Sequence, residues 1–258
     1  MNYTEEIINE YKNFSQVISI AIGGSSTART SDNMSDVDTY IFVEKDIPVP
    51  EREKLIKKYS SKYEAGGEYF GSGDEFLVDS INREFDVMYW NGNWFETAVD
   101  NVWHKYYPSN GYSTCFLYTL KHFDIKYDKK GWLKSLQDKL NTPYPKQLKE
   151  NIIKRNIMLM KDKPFASYYE QIEKAVLRND LNSVNHRTTE FISSYFDVLF
   201  AINELLHPGE KRLVEFALKN CKILPENFEK DFSELFTEPF NKRPEILSKM
   251  FTNLKKLA

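Results

Sequence analysis

The sequence predicts an α+β protein: a mixed sheet with flanking helices in its first part, followed by an α-helical bundle. Three observations carry this. Short runs rich in β-branched and aromatic residues, VISIAI (17–22), DVDTYIFVE (36–44) and REFDVMYW (83–90), fall within the first hundred residues and read as strands. Beyond about residue 113 the apolar spacing is almost continuously helical. Between them YYPSNGYS (106–113) is turn-rich and coincides with a shift in charge. Residues 1–110 hold ten Lys and Arg against 19 Asp and Glu, whereas 111–258 hold 25 against 19. The boundary is therefore placed at 108, with a domain over 1–108 and a helical domain over 109–258.

In chain order, residues 3–14 place Ile7, Ile8, Tyr11 and Phe14 on one helical face. VISIAI is a buried strand, and Ser25 to Thr30 could open a helix after it. In the strand 36–44, period-two alternation sends Asp36, Asp38 and Tyr40 to one face and Val37, Thr39 and Ile41 to the other. IPVPEREKLIKKYSSKY (47–63) reads as a proline-started helix. EAGGEYFGSGDE (64–75) is glycine-rich and acidic and reads as a loop. REFDVMYW is the third strand, and WFETAVDNVW (94–103) is helical. Further helices are expected over 113–122, 131–140, 145–161, 165–179, 181–206, 209–220 and 243–256. There is no internal repeat.

Several function classes are disfavoured. With 41% hydrophobic and 28% charged residues the chain has globular composition. Cys115 and Cys221 lie far apart, and His104, His122, His186 and His207 are scattered, so neither a disulfide framework nor a zinc site is expected. The acidic, amphipathic start lacks the pattern of a signal peptide, and no apolar run approaches a membrane span. A cytoplasmic protein, monomer or homodimer, is the expectation. No basic stripe marks a nucleic-acid binder, although the basic second half leaves a tRNA partner open.

The stretch IGGSSTARTSDNMSDVDTY (22–40) carries the chemistry. Glycines after a strand let the backbone approach a ligand closely, and N–H groups entering a helix point at anions. Gly23, Gly24, Ser25 and Ser26 are thus the expected phosphate-holding turn, with Arg29 a further phosphate contact. Asp36 and Asp38 lie two apart on a strand, so both carboxylates face one way and suit Mg²⁺. Asp86, in a later strand, joins them if that strand is adjacent; Glu84 falls on the same face as Asp86. Three carboxylates without a cation repel one another, so the cluster implies metal. A carboxylate trio beside a phosphate-cradling turn is what two-metal phosphoryl transfer requires.

The order Gly24-Ser25, ten residues, Asp36-Val37-Asp38, then Asp86 in a later strand resembles the nucleotidyltransferase superfamily, which includes DNA polymerase beta and the kanamycin, streptomycin and lincosamide nucleotidyltransferases. The resemblance covers about the first 100 residues. The segment LFAINELLHPGEKRLVEFA (199–217) and the WL…L…YP…L…I rhythm of 132–153 resemble the helical domain of the antibiotic-modifying branch. Gly23-Gly24-Ser25-Ser26-Thr27-Ala28 departs from the single Gly-Ser of many members and leaves open which hydroxyl meets phosphate. The resemblance implies transfer of a nucleoside monophosphate from a nucleoside triphosphate, with ATP the expected donor. The acceptor is a hydroxyl of a small molecule of aminoglycoside or lincosamide type, and antibiotic resistance would follow. Mg²⁺, with Mn²⁺ as substitute, would sit on Asp36, Asp38 and Asp86, the last as ligand or general base. Lys211 and Asn203 would reach the triphosphate. Nucleotidylation of a protein or tRNA, and non-catalytic nucleotide binding, are the alternatives. Glu190 and Asp197 on the longest helix are candidate acceptor or general-base carboxylates. Trp90, with Trp94 and Trp103, is a candidate lining for an acceptor pocket.

Overall fold

The computed structural model describes residues 3–24, 36–69, 71–162 and 165–258. Its elements in chain order are α1 (Tyr3–Tyr11), β1 (Val17–Ile22), β2 (Val37–Val43), α2 (Val49–Ile56), β3 (Lys62–Gly67), β4 (Gly73–Val78), β5 (Arg83–Asn91), α3 (Gly92–Trp103), α4 (Cys115–His122) and β6 (Asp124–Asp128), followed by α5 (Trp132–Lys139), α6 (Lys146–Ile157), α7 (Tyr168–Leu177), α8 (Leu181–Ile202), α9 (Leu213–Asn220), α10 (Phe228–Thr237) and α11 (Arg243–Lys255). The fold is α+β, as the sequence predicts. Among the described residues no helix is long and apolar enough to cross a membrane, and neither cysteine forms a disulfide.

The chain divides into two compact units: residues 1–100 with 119–142, and 101–118 with 143–258. A single cut at 108 does not describe this. The reason is β6, which pairs antiparallel with β1 and so returns 119–142 to the sheet.

The first unit is built on a six-stranded sheet in the order β3-β4-β5-β2-β1-β6. Only β2 and β5 pair in parallel; the other neighbours are antiparallel. Alternation decides the faces. On one side Ile20, Ile41, Phe76, Phe85 and Val87 pack with Ile7, Ile8 and Tyr11 of α1 and Leu55 and Ile56 of α2 in one apolar core. The other side carries aromatic packing around Phe42, whose ring lies 4.9 Å from Phe95, 5.3 Å from Trp132 and 5.9 Å from both Trp90 and Phe123. Phe42 is fully buried; truncating such a ring costs about 3–5 kcal/mol. Where β2 runs past this packing, at Asp38, its outer face is only half-buried.

Three local expectations change. Residues 64–67 and 73–75 are not loop but lie in the paired strands of the β3–β4 hairpin, with a bulge between Ala65 and Gly67; glycine in a bulged strand has a composition that does not separate it from loop. The strand β6, DIKYD, escapes sequence reading because an edge strand alternates charge with few apolar residues. The helix α10 lies where none is expected, although Phe228, Phe232 and Leu235 bury at helical spacing.

The second unit packs its helices on α8. From Ser193 to Ile202 every residue of α8 is buried, and Phe191, Tyr195, Phe196 and Phe200 share a core with Phe228, Phe232, Leu247 and Met250. Asp180 caps the helix, its side chain accepting the Ser183 N–H at 3.1 Å; such a cap contributes about 1 kcal/mol. A buried polar hub joins α6 and α8 to segment 109–114. Asp197 accepts from the Ser113 N–H (3.0 Å), the Ser113 hydroxyl (2.6 Å) and Asn156 Nδ2 (2.9 Å), and Asn156 Oδ1 accepts from the Gly111 N–H (3.0 Å). Gly111 has φ +79°, and a Cβ there would lie 2.6 Å from Ser193 Cβ.

Burial pushes the Asp197 carboxyl up to about 7, against the pull of its hydrogen bonds. Its folded pKa stands above its unfolded value, so the native state holds the proton more tightly. The contribution of this carboxyl to stability is therefore fully present below about pH 4, is lost as pH rises to about 7, and is constant beyond. Thermal unfolding of wild type and Asp197→Asn across this range should show the difference between them shifting in favour of Asp197→Asn, which has no charge to bury, as pH rises from about 4 to about 7.

Candidate active site on the sheet

The parallel register of β2 and β5 pairs Val37 with Phe85, Asp38 with Asp86 and Thr39 with Val87. Val37, Thr39, Phe85 and Val87 are buried on the α1/α2 side. Alternation then forces Asp38 and Asp86 onto the opposite side, as directly opposed neighbours. Both are half-buried. Asp86 is pushed up to about 6, first by burial and then by the charges of Asp38, Glu75 and Asp36. Asp36 is exposed just ahead of β2. The trio expected from the sequence thus shares one neighbourhood. Glu84 is exposed, two residues before Asp86 on the same strand.

The row extends further than the sequence indicates. Glu75 of β4 stands directly opposite Asp86, and Glu64 of β3 directly opposite Glu75. Asp38, Asp86, Glu75 and Glu64 therefore run across four adjacent strands. The missed signal is the alternation in DEFLV (74–78), where Asp74, Phe76 and Val78 are buried and Glu75 is exposed. Among the described residues no three His, Cys, Asp or Glu converge into a metal cage: the carboxylates make a row across the strands.

The glycine turn closes on this row. The Gly23 N–H donates to the Asp38 carbonyl at 2.9 Å, which continues the β1–β2 pairing to the turn. A Cβ on Gly23 would come within 2.7 Å of the Tyr40 ring. Gly24 has φ +67°, and a Cβ there would fall 1.6 Å from Asp38 Oδ2 and 2.4 Å from its Cγ. Only glycine allows both the backbone conformation and the close approach to the carboxylate. Ser25, Ser26 and Arg29 lie outside the described residues.

The remaining candidates have other surroundings. Trp90 sits on the Asp86 side of β5, edge-on to Tyr40 at 5.0 Å and to Trp94 at 5.9 Å; Trp94 is 51% exposed. Trp103, in the second unit, packs edge-on against Tyr144. Glu190, half-buried on α8, accepts from the Tyr168 hydroxyl at 3.4 Å. Lys211 is exposed just ahead of α9. Two expectations are corrected. Asp197 is 2% exposed and holds the interior hub, so it is not an acceptor-facing carboxylate. Asn203 spends both amide hydrogens on the carbonyls of Leu199 and Ile223 and its oxygen on the Ile223 N–H, each at 2.9 Å. It ties α8 to the chain beyond α9 and keeps no donor for phosphate.

The model of a domain of unknown function, DUF4037, matches residues 114–213. No curated protein matches the chain. Among solved structures, the chain is similar to a nucleotidyltransferase-like protein from Exiguobacterium sibiricum 255-15, at 10% identity over 98% of this chain and 73% of that one, with a TM-score of 0.49. It is also similar to the Thermotoga maritima CCA-adding enzyme complexed with tRNA, at 10% identity over 99% and 80%, with a TM-score of 0.28. Activity is not transferred at such identity, so what the site does must be argued from its own residues.

Gly24→Ala should displace the whole Asp38 side chain and strain the backbone, lowering stability by about 1–2 kcal/mol. Chemical denaturation would measure this. Repeating it in an Asp38→Gly background, where the clash is gone and only the φ strain remains, should recover part of the loss.

Proposed function

We propose that this protein is a metal-dependent nucleotidyltransferase. It moves a nucleoside monophosphate from a nucleoside triphosphate, ATP by expectation, to an acceptor hydroxyl and releases pyrophosphate. The observation that carries this reading is the direct opposition of Asp38 and Asp86 with the Gly24 backbone set against Asp38. Asp38 and Asp86, with Asp36 beside them, would hold Mg²⁺ or Mn²⁺. That cation would neutralise the triphosphate and stabilise the departing pyrophosphate.

The chain's own groups divide the rest. Gly23 and Gly24 bring backbone close to where phosphates would lie, and Ser25, Ser26 and Arg29 are the proposed phosphate contacts beyond them. In the transfer the acceptor oxygen bonds to the α-phosphorus and the bond to the bridging oxygen of the pyrophosphate breaks. Asp86 stands either as a further ligand of the cation or as the general base that takes the hydroxyl proton.

Excess negative charge in residues 1–110 favours a cationic small molecule of aminoglycoside or lincosamide kind as acceptor. The excess positive charge of 111–258 supports a second reading, with a protein or tRNA as acceptor. Incubation with each labelled triphosphate, Mg²⁺ or Mn²⁺, and panels of antibiotics, tRNA and cell lysate separates them by where label appears. Asp38→Asn should abolish transfer with the fold intact by circular dichroism; an active variant would falsify the mechanism.

Protonation of Asp86 competes with a cation, and its folded carboxyl titrates near 6. Mn²⁺ affinity should therefore weaken as pH falls below about 6, by at most about tenfold per unit for one proton displaced. Titration of free Mn²⁺ by electron paramagnetic resonance at pH 5, 6 and 7 reads this directly.

A further inference from the structure

The back of the carboxylate row holds a feature that the proposed transfer leaves unused. Asp74 precedes Glu75 on β4 and points to the opposite side of the sheet, where it is 1% exposed. Its Oδ2 accepts the Tyr89 hydroxyl at 2.6 Å. Its Oδ1 accepts the Gly66 N–H at 2.8 Å and lies 3.2 Å from Arg52 Nη1. Arg52, on α2, is also buried, and its guanidinium sits 4.4 Å from the centre of the Tyr89 ring.

Register explains why this cluster is there. Ala65 pairs with Asp74 and Gly67 with Gly73, which leaves Gly66 as the extra residue of a bulge in β3. Gly66 has φ +81°, and its N–H finds its acceptor in Asp74. The hairpin is an edge of the sheet and carries glycine at 66, 67, 71 and 73. A strand edge so poor in side chains specifies its register weakly, and a slip of one residue reverses every side chain. Such a slip would turn Glu75 inward and Asp74 out. A buried ion pair is often no more stabilising than apolar residues of the same volume. Apolar residues, however, would give the Gly66 N–H no acceptor and the strand no directional lock.

We propose that Asp74 is a positioning residue. With Arg52 and Tyr89 it fixes the register of the β3–β4 hairpin on β5, and so keeps the Glu75 carboxylate beside Asp86, where its charge strengthens cation binding. The cation half of this rests on the proposed transfer; the register half does not. Glu75 and Asp86 are direct cross-strand partners, about 5 Å apart at Cα, close enough for one charge to be felt at the other.

The test compares wild type, Glu75→Gln, Asp74→Asn, the double variant, and Tyr89→Phe, which removes one hydrogen bond should Asp74→Asn fail to fold. Two quantities are read on the full chain: Mn²⁺ affinity, and amide hydrogen exchange by NMR. Glu75→Gln should leave exchange unchanged and weaken Mn²⁺ about three- to tenfold. Asp74→Asn and Tyr89→Phe should speed exchange in β3 and β4 at least tenfold over β1 and β2, and weaken Mn²⁺ toward the Glu75→Gln value. Adding Glu75→Gln to Asp74→Asn should cost little more. Wild-type Mn²⁺ affinity in Asp74→Asn and Tyr89→Phe, or uniform acceleration of exchange across the sheet, overturns the positioning role. A wild type that binds no Mn²⁺ removes the cation half together with the proposed transfer, and the exchange data alone then decide the register half.

Discussion

The parallel pairing of β2 with β5 is the constraint on which the site depends. Parallel neighbours need a crossover, and here it comprises α2 and the β3–β4 hairpin. The pairing sets Asp38 against Asp86, and it does so because four apolar or small residues on the far side, Val37, Thr39, Phe85 and Val87, are buried. Opposed like charges on adjacent strands are unfavourable. Burial first, and then that conflict, raise the pKa of Asp86. A sheet under selection for stability alone would not place two carboxylates there, and sites of function are where such local conflicts persist.

The same alternation that exposes the carboxylates builds the support behind them. Asp74 and Glu75 are consecutive, yet one is sealed in a hydrogen-bonded ion pair and the other stands in the row. On the other edge of the site, Gly24 leaves room for Asp38 by lacking a Cβ. The second unit uses buried polarity differently. Asp197 and Asn156 satisfy the backbone of Ser113 and Gly111, which fixes an irregular segment where no ladder is available.

Much of the site was legible because it lies on strands with strong alternation. The run VISIAI forms β1 at the expected residues, and Asp38 and Asp86 fall on the expected faces. Glu75 was hidden because glycine in an edge hairpin has the composition of a loop. The edge strand β6 was hidden because charge on alternate residues removes its apolar signal. Asp197 and Asn203 were misread for a different reason. A polar residue on a helix has the same sequence signature whether it meets solvent, a ligand or buried backbone, and only the packing around α8 distinguishes these. The chain's division into units was likewise invisible locally, since it depends on β6 reaching β1.

The most direct measurement is the anomalous difference map of a crystal grown with Mn²⁺ and a non-hydrolysable ATP analogue. Manganese density between the carboxylates of Asp38 and Asp86, with the triphosphate passing the Gly23-Gly24 turn, is the result expected. Nucleotide bound elsewhere with no manganese at these two residues would contradict it.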